Sequence, residues 1–98
     1  TDEENFQDFN LEFHSTIWGM THSPRLVGML KSLYDDSRGY RYISVKLPGR
    51  LDEIVHEHSD IIAAFRAKDP YRVEQVVNSH YQSTLEWLIR SIKEKKRT

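Results

Sequence analysis

Three prolines divide this 98-residue sequence into stretches that each carry a helical pattern. Ser23-Pro24 and Asp69-Pro70 each join an N-cap residue to a proline at the first helical position, which is a typical helix start. Pro48-Gly49 is typical of the end of a helix. Between these breaks, apolar residues recur at three- and four-residue steps, without the alternation of a β-strand. The sequence therefore predicts an all-α fold, an antiparallel bundle of about four helices.

Each of the four predicted helices has an apolar stripe, and these stripes are the expected core. The helices are predicted over residues 2–20, 24 to either 41 or 45, 51–65 and 70–95. The stripes consist of Phe6, Phe9, Phe13, Ile17 and Met20 on the first helix; Leu26, Val27, Leu30, Leu33 and Tyr34 on the second; Leu51, Ile54, Val55, Ile61, Ile62 and Phe65 on the third; and Val73, Val76, Val77, Thr84, Trp87 and Leu88 on the last.

The composition excludes several classes of protein. The chain has no cysteine, so disulfides and thiolate metal sites are excluded. Its 38% apolar and 30% charged residues are typical of a soluble globular domain. No apolar run approaches the roughly 20 residues that cross a bilayer, and we expect a cytoplasmic protein. The net charge of −1 gives no overall attraction for nucleic acid. The basic C-terminal residues suit the helix dipole, with a nucleic-acid contact as the alternative.

Polar side chains interrupt the apolar faces of three predicted helices. Asn10 and His14 lie about 40° apart on the first helix and face inward or nearly so. His58 lies in the middle of the third apolar stripe, and His80 lies within the stripe of the last helix. A single histidine placed in this way is usually a core residue that a neighbouring polar group satisfies. Three on separate helices, with an amide oxygen, also suit a divalent ion such as Zn, Ni, Co, Fe or Mn.

The residues next to His58 are predicted to have other roles. His56 points roughly away from His58 and is expected to face solvent. Glu57 lies about 100° around the helix from His58, where it can cap or orient a neighbour rather than catalyse. Arg38 and Arg41 are about one turn apart and can face the same neighbour.

Four blocks of the sequence resemble the pattern of one regulator domain. They are NLEFH from Asn10 to His14, the following SPRLVGML, EHSDIIAAF from Glu57 to Phe65, and then Asp69 and His80. Their order and spacing are similar to those of the ligand-sensing C-terminal domain of GntR-family transcription regulators, FadR subfamily, called the FCD domain. The resemblance covers nearly the whole chain.

The resemblance implies an all-helical effector domain that follows an N-terminal winged helix-turn-helix and acts as a dimer on operator DNA. In that family one acid or amide and three histidines hold a divalent metal (Zn, Ni, Mn or similar), and a small carboxylate effector binds there. Carried over by motif, the metal positions are Asn10, His14, His58 and His80. Separately from the resemblance, Arg38 and Arg41 are candidate effector-binding residues, with a solvated surface arginine as the alternative for each.

The sequence departs from the family pattern in three ways. Asn10 stands where many members have Asp, which removes a negative charge from the metal site. Ser23 stands where Asn usually precedes the proline. We also expect residues 1–98 to be a piece of a larger effector domain of six or seven helices, without its first helices and without the DNA-binding domain. Two alternatives stay open: a helical interaction module with structural histidines and a small metal-dependent hydrolase. We expect the chain to have no enzymatic activity.

Overall fold

The computed structural model describes residues 2–97, with side chains described for residues 5–96. The described chain is α-helical and contains five helices, which confirms the predicted fold class. They are α1 (Asp2–Gly19), α2 (Pro24–Asp36), α3 (Arg38–Lys46), α4 (Arg50–Arg66) and α5 (Pro70–Arg97). Two compact units are formed, an N-terminal unit (Thr1–Tyr42) and a C-terminal unit (Ile43–Thr98). No described helix is long and apolar enough to cross a membrane.

In the N-terminal unit, α1 packs against α2 across a short turn. His22 adopts a left-handed conformation in this turn, with φ of 56°. The Ser23 side chain then caps α2 by accepting a hydrogen bond from the Leu26 N–H at 3.2 Å, and Pro24 occupies the first turn. The predicted helix start is confirmed, because the Ser-Pro pair satisfies one amide and removes another.

The buried face of α1 differs from the predicted apolar stripe. Phe9 is 70% exposed and Met20 is 54% exposed, so the prediction that these two residues enter the core is wrong. Among the side chains of α1 that the structure describes, those of Gln7, Asn10, His14 and Trp18 are buried. Trp18 packs edge-on against Tyr34 of α2, with ring centroids 5.7 Å apart. Contacts with this tyrosine therefore select a mixed polar and aromatic face instead of the phenylalanine face.

The second predicted helix is divided at Ser37 into α2 and α3, so the chain has one helix more than expected. Ser37 is the C-cap of α2, and its hydroxyl donates to the Tyr34 carbonyl at 3.1 Å. Asp35, Asp36 and Ser37 are all residues that compete with the helical backbone for hydrogen bonds. Gly39 lies in the first turn of α3.

In the C-terminal unit, α4 and α5 form a helical hairpin. Residues near the start of α4 contact the middle of α5, and residues further along α4 contact earlier parts of α5, so the two helices are antiparallel. The Asp69 side chain accepts from the Arg72 N–H at 3.1 Å, which confirms the predicted cap of the last helix.

The two helices of this hairpin follow the sequence pattern to different degrees. The predicted stripe of α5 is buried or half-buried throughout. On α4 the buried residues are Arg50, Ile54, Ile61 and Ala64. Leu51, Val55, Ile62 and Phe65 are 37%, 57%, 41% and 37% exposed, so their predicted burial is wrong. The inner face of α4 is rotated by roughly 60° from the predicted stripe, toward the side that carries Arg50 and Glu57.

Candidate functional site

His58 and His80 lie side by side in the C-terminal unit. Their ring centroids are 4.9 Å apart with an interplanar angle of 70°, and a nitrogen of each ring lies within 4.8 Å of a nitrogen of the other. His80 is only 3% exposed, whereas His58 is half-buried. The structure thus brings two predicted metal ligands from different helices together.

A network of charged and polar groups surrounds the buried face of His80. Its Nδ1 lies 2.6 Å from Glu57 Oε1. Arg50 Nη1 donates to both carboxylate oxygens of Glu57, at 3.2 and 3.1 Å, and its Nη2 donates to Thr84 Oγ1 at 2.9 Å. The Thr84 hydroxyl donates to the His80 carbonyl at 2.8 Å. The histidine is therefore held at its ring and at its backbone.

Both imidazoles are predominantly neutral at neutral pH. Burial lowers the pKa of His58 from 6.5 to about 4, with a further lowering from His80 and an opposing effect of Glu57. Burial also lowers the pKa of His80, although the hydrogen bond with Glu57 opposes that shift. Neutral imidazole is the form that binds metal ions, so proton competition is weak at this pair.

Asn10 and His14, the other two predicted ligands, lie about one turn apart on α1 in the N-terminal unit and are both buried. The Asn10 amide nitrogen donates to the Tyr34 hydroxyl at 2.7 Å. This bond orients the amide and leaves its oxygen, the atom that can bind a cation, at the other end of the group. The centroid of the His14 ring lies 6.3 Å from that of Trp18 and 6.3 Å from that of Tyr34.

Of the two predicted effector-binding arginines, Arg41 is buried and Arg38 is exposed. The Arg41 guanidinium lies 3.4 Å over the Tyr34 ring, and its Nη1 donates to the Tyr34 carbonyl and the Ser37 hydroxyl. Its Nε and Nη2 have no hydrogen-bond partner among the described residues. Burial lowers the pKa of Arg41 and raises that of Tyr34.

Sequence reasoning missed several polar residues of the two units. Gln7 is 7% exposed, and neither its amide oxygen nor its nitrogen has a hydrogen-bond partner among the described residues. The signal for it was its position one turn before Asn10, on the same face of α1. Tyr34 and Thr84 were assigned to the apolar stripes, and Arg50 was not assigned at all.

The comparison with known protein families decides what kind of domain holds these residues. A scan of family models matches the FCD domain over residues 1–83. The chain belongs to the FCD domain family. FCD domains are the effector-sensing C-terminal domains of GntR-family transcription regulators. Searches of the curated proteins and of the solved structures found no match.

The family match confirms the resemblance read from the four sequence blocks. It includes all four predicted metal positions, two in each compact unit of this FCD domain. It also includes Arg38, Arg41 and the network of Arg50, Glu57 and His80.

Proposed function

We propose that this FCD domain senses a small organic acid through a divalent metal ion bound by Asn10, His14, His58 and His80. The observation that carries the proposal is the pair of neutral imidazoles, His58 and His80, on facing helices of the C-terminal unit. His14 and the oriented amide of Asn10 supply the two further donors. The proposal also follows the role of FCD domains as effector sensors.

The chemistry of the four donors fits such an ion. Three imidazole nitrogens and one amide oxygen suit zinc or nickel, and suit manganese less well because that ion prefers oxygen ligands. All four donors are uncharged, so they leave the charge of the ion uncompensated. A bound divalent ion supplies positive charge and open positions for carboxylate oxygens. An anionic effector therefore completes the charge balance of this site better than a neutral one.

Arg41 is the better of the two candidates for a second contact with the effector. Its guanidinium is buried against Tyr34, the residue that accepts a hydrogen bond from Asn10. The Nε and Nη2 atoms of Arg41 can still donate hydrogen bonds. A guanidinium can bind a carboxylate through two parallel hydrogen bonds, which favours an acid over an alcohol. Arg38 is exposed and is the weaker candidate.

The rest of the proposal concerns the longer protein. In our proposal this chain is part of a cytoplasmic regulator whose N-terminal winged helix-turn-helix binds operator DNA as a homodimer. Effector binding then changes DNA affinity only if the effector binds the two states of the regulator unequally. The family membership supports this arrangement.

Metal content of purified variants tests the central claim. We expect the wild type to retain one equivalent of zinc after stripping with chelator, reloading and desalting, as measured by elemental analysis. The variant His58→Ala/His80→Ala should retain less than a tenth of that amount, because it lacks two of four ligands. His56→Ala is the matched control, since His56 is two residues from His58 and its side chain is 80% exposed.

Two outcomes would contradict the proposal. Stoichiometric zinc in the double variant would show that the ligands lie elsewhere. No zinc, nickel or manganese in the wild type under any loading condition would favour the interaction module with structural histidines. Ester or phosphoester turnover that is lost on chelation would favour the hydrolase.

A further inference from the structure

The C-terminal unit contains a buried ion pair whose two residues are not among the four predicted metal ligands. Arg50 is 2% exposed, and the Glu57 carboxylate that it contacts is 17% exposed. Burying two charges has a desolvation cost that their attraction often fails to offset, so such a pair is weak evidence of a stabilising role. The residues that this ion pair contacts indicate a role other than stabilisation.

The ion pair ends on His80. Glu57 Oε1 contacts Nδ1 of the histidine at 2.6 Å, while Arg50 holds both oxygens of the same carboxylate. The second arm of Arg50 reaches Thr84, whose hydroxyl binds the His80 carbonyl. Arg50, Glu57, His80 and Thr84 thus form a closed ring of hydrogen bonds, which we call the His80 ring network.

This geometry fixes the chemistry of the imidazole. A carboxylate already engaged by a guanidinium can only accept, so Nδ1 of His80 must carry the hydrogen. The lone pair of the neutral ring is then on Nε2, which is the nitrogen that can bind a metal ion in this tautomer. A carboxylate on the far nitrogen also fixes the ring plane and makes the ligating nitrogen a better donor.

We propose that Glu57 and Arg50 are positioning residues for the metal site. Glu57 selects the His80 tautomer that presents Nε2, and Arg50 fixes Glu57 for that task. This inference rests on the proposed function, because it takes His80 as a ligand. The competing interpretation is that the His80 ring network only ties α4 to α5.

The tautomer of His80 in metal-free protein tests whether Glu57 sets the ring, and zinc affinity then separates the two interpretations. Nitrogen-15 chemical shifts of the His80 ring, measured at pH 7.5 without metal, report the tautomer directly. We expect the wild type to be almost entirely the form with hydrogen on Nδ1. In Glu57→Ala the ring should become a mixture of the two tautomers. Glu53→Gln, an exposed acid one turn earlier on α4, is the control and should leave the ring unchanged.

Zinc affinity of the same variants gives the second measurement. Competition with a chromophoric chelator should show dissociation constants raised 10- to 100-fold in Glu57→Ala and Glu57→Gln, as for other groups that orient a metal ligand. Arg50→Lys keeps a positive charge but cannot hold Glu57 and Thr84 together, so we expect a loss of up to about 10-fold. Glu53→Gln should bind zinc as the wild type does.

The results separate this inference from the proposed function. If wild-type protein binds no metal, the proposed function fails, and the tautomer measurement still decides whether Glu57 sets the ring. A mixed tautomer in the metal-free wild type overturns the inference, as does a zinc affinity of both Glu57 variants within twofold of wild type. Glu57→Gln preserves side-chain shape, so it tests the inference even if Glu57→Ala fails to fold.

Discussion

His56 and His58 are two residues apart on α4 and have opposite environments. The His56 side chain is 80% exposed and lies 3.7 Å from Asp60, whereas His58 is half-buried against His80. Helical periodicity distinguishes them in the sequence, because two residues correspond to about 200° around a helix. At this scale a histidine's chemistry follows from the face on which it lies.

The buried histidine pair predicts a specific pH dependence of the metal-free protein. Folding lowers the pKa of His58 from 6.5 to about 4, and lowers that of His80 as well. Between these pH values the unfolded chain therefore binds more protons than the folded chain. The contribution of the neutral histidine pair to the free energy of unfolding is full above pH 6.5 and is lost as the pH falls toward 4. For His58 the shift corresponds to about 3 kcal/mol as an upper limit, and solvent screening of this half-buried ring reduces that value.

Chemical unfolding between pH 7.5 and 4 measures this loss. Carboxylates also titrate near the lower limit, so the useful quantity is the difference between the wild type and His58→Gln/His80→Gln. That difference should change by 1 kcal/mol or more, with the wild type losing more stability on acidification. His56→Gln should behave as the wild type. Parallel pH profiles of the wild type and the double variant would contradict the low pKa values.

Residues whose burial depends on distant partners were not predictable from the sequence. Arg50 is buried because Glu57 and Thr84 complete its hydrogen bonds, and Thr84 is 34 residues away. A helical pattern shows which residues share a face, but a charged residue considered without its partners is predicted to be exposed to solvent. The i,i+7 spacing of Arg50 and Glu57 was visible, but not their contact with His80.

Among the helices, the ends were predicted better than the faces. Ser23 and Asp69 cap α2 and α5 through their own side chains, which is a local interaction that three or four residues determine. The inner face of α1 instead depends on Tyr34, and that of α4 on α5. Local chemistry therefore fixes helix limits, while tertiary partners select between neighbouring faces.

The start of α4 gives a prediction for the helix that carries His58. Gly49 caps this helix with φ of 91°, a conformation that an L-residue adopts at a cost of about 1–2 kcal/mol. Gly49→Ala should lower the free energy of unfolding by about 1 kcal/mol, since alanine also restricts the unfolded chain. Gly39→Ala, inside α3, should raise it by up to about 1 kcal/mol.

Urea unfolding of the two glycine variants measures whether the free energy of unfolding falls in Gly49→Ala and rises in Gly39→Ala. A Cβ meets no other side chain within 4 Å at either position, so steric clashes do not enter. Equal effects of the two substitutions would show that the left-handed cap does not determine the stability of α4.

The whole molecule has an unusually polar interior. Among the described residues, seven apolar side chains are buried, against eight residues that are polar or charged. A chain of this size gains limited stability from its core, so polar groups in the interior need compensating partners. Several of these groups have such partners, as Arg50 has in Glu57 and Thr84.

Polar interiors also limit what the sequence predicts about the molecule. The four predicted metal positions were chosen from helical faces and a family pattern, and the structure pairs them within units: Asn10 with His14, and His58 with His80. The supporting groups Tyr34, Arg50 and Thr84 emerged only from tertiary contacts. Ligand positions repeat in a motif, whereas the residues that orient them depend on packing.

Metal and effector should stabilise this domain together. A ligand that binds only the folded state at 100 times its dissociation constant adds about 2.7 kcal/mol. We expect zinc to raise the melting temperature of the wild type, and a matching carboxylate from a panel of acetate, lactate and succinate to raise it further. The same acid should produce no shift in metal-free protein, because its oxygens then lack the ion.

By linkage, the acid should tighten zinc binding by the factor by which zinc tightens acid binding. Thermal melts and zinc titrations with and without the acid measure both sides of this relation. An equal shift in metal-free protein, or in His58→Ala/His80→Ala, would show that the acid binds independently of the metal.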